Sequence, residues 1–126
     1  MLKDKSSSAI VAVGDIARAR DFYQNILGLD LVDDSMGDVL VFRTGDTSLT
    51  VYTSEFAGTN KGNAVVWTVD DEIDAITAAL KGKGVAFEHY ADLPGVELKG
   101  DIHVAGDMKM VWFKDPDGNI LHLNNM

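Results

Sequence analysis

The feature that most constrains the fold is a pattern that occurs twice along the chain. Sliding the sequence so that Val13 falls on Val69 also places Gly28 on Gly84. Each copy reads as an apolar strand, an acidic helix cap, an amphipathic helix, a glycine stop and further strands. A repeat of this kind fixes the architecture before any single motif is considered. It predicts an α+β fold of two βαβββ modules within one domain.

The first module is predicted at about residues 8–54. Its opening apolar run, residues 9–13, predicts a strand buried on both faces. Asp15 is placed to cap the next helix, whose apolar residues recur at three- and four-residue steps until Gly28. Three further strands are predicted at residues 29–33, 39–43 and 48–53.

The second module is predicted at about residues 63–125, so that the single domain covers residues 1–126. It has a strand at residues 64–69, an acidic helix start and a helix with its own apolar stripe. A strand at residues 85–90 leads into a loop at residues 91–107, in which His103 is expected to be a solvated residue, as is His89 before it.

A terminal hairpin closes the second module. Turn residues at 115–119 join two alternating strands, at residues 108–113 and 120–124. Period-two alternation places His122 on the same face as Ile120 and Asn124, and it places Met108, Met110 and Trp112 together on one face.

Composition and charge exclude several classes of function. The chain has no cysteine, which excludes disulfides, zinc–thiolate sites and thiol nucleophiles. Its net charge of −9 argues against nucleic acid as a partner, and it suits the attraction of a cationic small molecule. No apolar run is long enough for a membrane span or a signal peptide, so we expect a cytoplasmic protein that binds no membrane.

Two segments carry a resemblance to a known family. Residues 15–28 and the turn at 115–119, set on two βαβββ modules, resemble the vicinal oxygen chelate superfamily of glyoxalases, extradiol dioxygenases and bleomycin-resistance proteins. The resemblance covers about residues 8–124. It implies that each module curls its sheet into a half-barrel and that the two halves enclose a ligand cleft.

The resemblance also implies where a metal would bind. Metal enzymes of this superfamily place ligands on the first and last strands of each module, and the matching positions here are Ser8, Thr50, Ala64 and His122. A catalytic divalent metal needs about three imidazole or carboxylate ligands, and only His122 qualifies. We therefore expect no metal and no other cofactor. For His122, a buried ring satisfied by Asn124 or by a backbone carbonyl is the plain structural alternative.

The finer resemblance is to metal-free bleomycin-binding resistance proteins. Residues 118–123 and 63–69 are similar to the corresponding strands of those proteins, which carry histidine at the position of His122 and form acidic dimers that sequester a cationic, planar antibiotic. The loop before the last hairpin departs from their pattern. The resemblance implies a homodimer, which would also protect exposed sheet edges.

The sequence therefore favours a metal-independent protein that sequesters a planar, cationic compound and is not an enzyme. Flat indole walls and adaptable methionines suit such a ligand, although the same residues at strand period also serve to fill a core. The alternative is a metal-dependent glyoxalase-like lyase, isomerase or dioxygenase that uses His122 and ligands from residues 95–107. The predicted ligand-binding residues are Trp67, Trp112, Met110, His122 and Asn124.

Overall fold

The computed structural model describes all 126 residues as two compact units, each built from one sheet and one helical segment. The first unit comprises residues 1–59 with Pro116–Asn119, and the second comprises Asn60–Asp115 with Ile120–Met126. The elements are β1 (Ala9–Val13), α1 (Ile16–Arg20), β2 (Asp30–Asp33), β3 (Val39–Thr44), β4 (Thr47–Thr53), β5 (Asn63–Thr68), α2 (Ile73–Gly82), β6 (Phe87–Glu88), β7 (Glu97–Lys99), β8 (Ile102–Ala105), β9 (Met108–Lys114) and β10 (Ile120–Asn124).

The first unit has a four-stranded sheet in the order β1-β4-β3-β2, with β1 parallel to β4 and the other pairs antiparallel. The predicted hairpin of β3 and β4 is confirmed, with Thr44 paired to Thr47 at its end. The predicted burial of β1 on both faces is wrong. Val11 and Val13 are buried, whereas Ile10 is 63% exposed, because the helix covers only one face of this sheet.

The predicted cap of the first helix is confirmed. The carboxylate of Asp15 accepts hydrogen bonds from the main-chain N–H groups of Ala17 and Arg18. Only the first five helical residues are α-helical, and Asp21–Ile26 form a π-helix. The wider π turn accommodates two adjacent aromatic residues, Phe22 and Tyr23, that are both buried against the sheet.

The turn between β9 and β10 belongs to the first unit. Asp117 Oδ1 accepts hydrogen bonds from Gly14 N–H at 3.0 Å and from Arg18 Nη2 at 2.9 Å. The side-chain amide of Asn119 donates to the carbonyl oxygen of Ala12 at 2.8 Å. The predicted turn chemistry therefore also serves as an attachment to the start of α1.

The second unit has strands in the order β5-β10-β9-β8-β7, with β6 paired to β9. β5 runs parallel to β10, as β1 does to β4, so that both modules share the predicted strand–helix–strand arrangement. The second helix begins with a 3₁₀ turn at Asp70–Glu72 and continues as α2, which buries Ile73, Thr77 and Leu80.

The segment between α2 and the terminal hairpin differs from its prediction. Only Phe87–Glu88 form a strand where residues 85–90 were predicted, and the predicted loop at 91–107 contains the antiparallel pair β7 and β8. These strands are too short for their period-two pattern to be distinguished from loop sequence. The prediction of a loop throughout residues 91–107 is therefore wrong where β7 and β8 form. No helix is long and apolar enough to cross a membrane.

Candidate functional site

The sheet of the second unit has two faces of different character. Val111 of β9 and Leu121 and Leu123 of β10 are buried on one face, which packs against α2. Lys109 lies on this face too, and its Nζ reaches Asp74 of α2 at 2.8 Å. The opposite face has no helix within this unit.

The face away from α2 carries four rings that contact one another. Trp112 and His122 are paired across β9 and β10, and their rings are stacked with centroids 4.6 Å apart and planes 22° apart. His103 meets Trp112 edge-on at 4.9 Å, and Tyr90 meets it edge-on at 5.2 Å. We call Tyr90, His103, Trp112 and His122 the aromatic cluster. Within it Trp112 and Tyr90 are partly exposed, whereas His103 and His122 are buried.

Hydrogen bonds hold His122 in one orientation. Its Nδ1 lies 3.0 Å from the carbonyl oxygen of Val111, and its Nε2 lies 3.3 Å from Nδ2 of Asn124. Asn124 Oδ1 accepts the main-chain N–H of Met126 at 3.2 Å, so Nδ2 is the atom that faces the ring. His122 therefore donates from Nδ1 and accepts at Nε2 as a neutral imidazole.

His103 is the second buried imidazole of the cluster. It is 0% exposed on β8, and its Nε2 accepts the main-chain N–H of Tyr90 at 2.8 Å. The expectation of a solvated residue is wrong for His103, whereas His89 is exposed as predicted and pairs with Asp101 at 2.8 Å.

Burial lowers the pKa of both cluster histidines, because desolvation disfavours the charged imidazolium. Backbone interactions with Met110 and Val111 partly oppose this effect, and neighbouring histidines reinforce it. Burial, with a smaller contribution from Glu88, raises the pKa of Tyr90. The cluster is therefore an uncharged surface near neutral pH.

The structure brings four of the five predicted ligand-binding residues together. Met110 is paired with Asn124, and Trp112 with His122, on the face of the aromatic cluster. Trp67 is not among them. It is paired with Leu123, and since paired residues point to the same side of a sheet, Trp67 lies on the face that packs against α2.

The sequence pattern did not predict that Tyr90 and His103 lie next to Trp112. The available signal was a four-residue segment, Ile102–Ala105, between two glycine-containing turns at Gly100 and Gly106. That spacing is typical of a short strand between turns. It would have placed His103 at a fixed register beside Met110.

The residues at the family's metal positions do not fit a metal. Ser8 precedes β1, Thr50 lies on β4 and Ala64 on β5, and none of these side chains is a good ligand for a catalytic divalent ion. Both nitrogens of His122 already have partners. No group of three or more His, Cys, Asp and Glu side chains is arranged to hold a metal ion.

Few charges lie on the cluster face. Glu88 is paired with Trp112 across β6 and β9, and Lys114 shares that face, with its Nζ 3.8 Å from the Glu88 carboxylate. One acid and one base therefore balance each other next to the rings. The other carboxylates of β7 and α2, such as Glu97 and Asp74, are exposed away from this face.

The first unit contains a separate open hollow of about 470 Å³. Its lining includes two carboxylates, Glu55 and Asp117, and Asp117 is the residue bonded to Gly14 and Arg18. Its full lining is Gly14, Thr53, Ser54, Glu55, Ala57 and Asp117.

Comparison with solved structures shows the same fold in several proteins. The glyoxalase family protein from Enterococcus faecalis is 19% identical, with 98% of this chain and 99% of that chain covered and a TM-score of 0.70. Lactoylglutathione lyase from Agrobacterium tumefaciens is 19% identical, with 96% and 92% covered and a TM-score of 0.71.

A third similar structure is a mutant of the fosfomycin resistance protein FosX from Listeria monocytogenes, complexed with Mn(II) and 1S,2S-dihydroxypropylphosphonic acid. It is 18% identical, with 97% of this chain and 90% of that chain covered and a TM-score of 0.73. At such identities the likeness establishes the fold alone. No curated protein matches the chain.

Comparison with family sequence patterns gives the assignment. The pattern described as "Glyoxalase/Bleomycin resistance protein/Dioxygenase superfamily" matches residues 6–123, which is nearly the whole chain. The two-module α+β fold agrees with that match. The chain belongs to the glyoxalase/bleomycin resistance protein/dioxygenase superfamily.

Proposed function

We propose that this protein binds a small planar compound without a metal, on the face that carries the aromatic cluster. The observation that supports the proposal is the grouping of Trp112, Met110, His122 and Asn124 on one sheet face without a covering helix in their unit. Aromatic surfaces favour planar ligands by stacking and by burial of apolar area. Methionine side chains adapt to ligands of different outline.

A cationic ligand is part of this proposal, and its support is the charge of the chain. The net charge of −9 attracts cations at long range, and the indole face of Trp112 favours them at short range. Glu88 is paired with Trp112 across β6 and β9, but Lys114 neutralises much of its effect. We therefore expect charge to influence the rate of encounter more than the final affinity.

The physiological form of this proposal is sequestration of an antibiotic or a similar compound by a homodimer. Exposed apolar residues on first strands, Ile10 at 63% and Val66 at 55%, support association of two copies. Light scattering coupled to size-exclusion chromatography tests the assembly. A mass of about twice the 13.6 kDa chain is expected, and a monomer at micromolar concentration contradicts it.

The second candidate is a metal-dependent enzyme, a glyoxalase-like lyase or isomerase or a dioxygenase. Its support comes from relatives of the same fold: one is named lactoylglutathione lyase, and another is described in complex with Mn(II). These relatives give no support to the interpretation that the chain is not an enzyme. In this candidate His122 would be joined by ligands from residues 95–107. That segment contributes His103, whose Nε2 is bonded to Tyr90, and the exposed Glu97 and Asp107.

One experiment separates the two candidates. Untagged protein, purified without chelator, is analysed for bound metal, and its melting temperature is then measured with a panel of planar cationic and neutral compounds, with and without EDTA. Binding to the native state raises the melting temperature by mass action. For the binding protein we expect no stoichiometric metal and a rise that EDTA leaves unchanged.

Two tryptophan variants localise the binding surface. Trp112→Phe removes an indole from the aromatic cluster, and Trp67→Phe is its matched control, because Trp67 lies on the opposite face of the same sheet. We expect the first variant to weaken binding and the second to leave it unchanged. Equal effects of the two variants contradict the proposed surface. Stoichiometric metal that is lost in His122→Ala contradicts metal-independent binding and supports the enzyme.

A further inference from the structure

The segment that follows β6 is attached to the β7–β8 hairpin at two consecutive residues. His89 Nε2 lies 2.8 Å from Oδ1 of Asp101, which lies in the turn between β7 and β8. The main-chain N–H of Tyr90 donates to His103 Nε2 on β8, also at 2.8 Å. One attachment therefore uses a side chain and the other uses the backbone.

The two attachments differ in their surroundings. The side chain of His89 is 49% exposed and that of Asp101 is 17% exposed, and solvent at the histidine weakens such a contact. His103 is 0% exposed, and a buried acceptor is costly to leave without its donor. The contact between Tyr90 and His103 is therefore the stronger determinant of where this segment lies.

The same contact determines the position of the Tyr90 ring. That ring meets Trp112 at 5.2 Å and His103 at 5.8 Å, so Tyr90 forms one side of the aromatic cluster. Beyond Tyr90, the main-chain bonds of the segment are long, with Leu93 N–H 3.4 Å from the Tyr90 carbonyl oxygen and Val96 N–H 3.3 Å from that of Leu93. These bonds fix the segment only weakly.

We propose that His103 is a positioning residue that holds Tyr90 against Trp112 and thereby shapes the ligand surface of the aromatic cluster. His103 does this through the lone pair of Nε2, which accepts the Tyr90 N–H. Its role in ligand binding rests on the proposed function, whereas its hold on Tyr90 is a property of the ligand-free protein. The two parts are therefore tested separately.

The mechanism requires a neutral ring. Protonation would place a second N–H at Nε2, opposite the donor of Tyr90, and the attachment would be lost. The titratable groups around His103 are His89 and Tyr90 in the attached segment, Asp101 in the turn before β8, His122 on β10 and Glu88 on β6. Its neighbours on β7 and β9, namely Leu98, Met110 and Trp112, are uncharged.

Hydrogen exchange of the Tyr90 amide tests the attachment without any ligand. Its protection factor is measured by NMR in wild type, His103→Leu, His103→Gln and the matched control His89→Gln. We expect His103→Leu to lower the Tyr90 protection factor about tenfold or more. His103→Gln retains an acceptor oxygen and should restore part of it, and His89→Gln should change it little. Unchanged protection in His103→Leu overturns the proposal.

A pH series on the wild-type protein keeps the proposal testable if His103→Leu does not fold. As the pH falls from 7.5 to about 5, imidazole protonation should lower the protection of the Tyr90 amide more than that of the Val111 amide in the sheet core. A parallel decline of both protection factors overturns the proposal.

Binding of a planar compound tests the second part. His103→Leu should weaken binding of a compound that the wild type binds, and His103→Gln should recover part of the affinity. If Tyr90 is released in His103→Leu while affinity is unchanged, the role in shaping the ligand surface is overturned. If no compound binds the wild type, the proposed function fails, and the exchange data still decide whether His103 holds Tyr90.

Discussion

The side-chain amide nitrogen of Asn124 lies 3.3 Å from Nε2 of His122, and this contact determines which chemistry the imidazole can perform. The main-chain N–H of Met126 fixes the orientation of the amide, and the carbonyl oxygen of Val111 accepts from the other ring nitrogen. A proton or a metal ion at Nε2 would have to displace Asn124. The ring is therefore held as a neutral stacking partner of Trp112.

Replacing the Asn124 amide by a carboxylate should make the His122 ring easier to protonate. In Asn124→Asp, a negative charge next to Nε2 favours the imidazolium, so we expect the pKa of His122 to rise from below its ordinary value. An NMR titration of the imidazole signals measures this change. The exposed His89, which contacts Asp101, provides an internal reference signal in the same spectra. An unchanged His122 titration contradicts the role given to Asn124.

The two cluster histidines should make the protein less stable in mild acid. Their pKa values are lowered in the folded state, so below the unfolded value of about 6.5 the unfolded chain binds more protons than the folded one. The free energy of unfolding, measured with urea, should be constant above that pH and fall from there until the folded-state pKa values are reached. His103→Gln and His122→Gln should each make this decline shallower than in wild type, and a decline as steep as that of wild type in both variants contradicts the prediction.

The carboxylate of Asp117, on the turn between β9 and β10, should contribute more to the free energy of unfolding than a carboxylate in an exposed ion pair. Asp117 bonds both Gly14 and Arg18, and its side chain is only 9% exposed. We expect Asp117→Ala to lower the free energy of unfolding by about 1.5–3 kcal/mol, as for hydrogen bonds to buried charged groups. The matched control is Asp30→Ala, which breaks an ion pair with Arg43 whose side chains are 66% and 65% exposed.

The control variant, Asp30→Ala, should lower the free energy of unfolding by less than about 1 kcal/mol, because solvent screens exposed ion pairs. Urea denaturation of both variants at pH 7 gives the comparison. Equal losses would mean that the turn is not an important attachment within the first unit.

The repeat was informative because it combines signals of different kinds. The cap at Asp15, the glycine after each helix and the hairpin of β3 and β4 are local features with a clear physical meaning, and the structure has them where they were predicted. The common face of Met110, Trp112, His122 and Asn124 could also be predicted, because side chains alternate between the two faces along a long strand. A sequence with two such modules therefore allows the fold to be predicted, together with which side chains share one face of the terminal hairpin.

The remaining differences between the predictions and the structure have a common physical origin. Which face of a sheet a side chain occupies, and whether that face is covered, depends on neighbouring elements. Trp67 was grouped with Trp112, but the register of β5 against β10 turns it towards α2. The burial of His103 depends on contacts with Tyr90 and Trp112, which lie outside β8, on the segment after β6 and on β9. β1 looked buried on both faces because its composition is apolar, although only one face is covered.

The close approach of Gly58 to the terminal turn gives a last test of how the first unit is assembled. A Cβ at Gly58 would collide with the carbonyl oxygen of Asp117, and the backbone φ of +73° is itself unfavourable for alanine. Gly37 has almost the same φ, +75°, but a Cβ there meets nothing within 4 Å.

Gly37→Ala therefore measures the conformational cost alone, about 1–2 kcal/mol. Gly58→Ala should cost about 1–3 kcal/mol more, because the turn must shift to relieve the collision. Urea denaturation of the two variants isolates the difference. If both lose the same free energy of unfolding, Gly58 is required only for its φ, and the contact with Asp117 does not constrain the position of the turn.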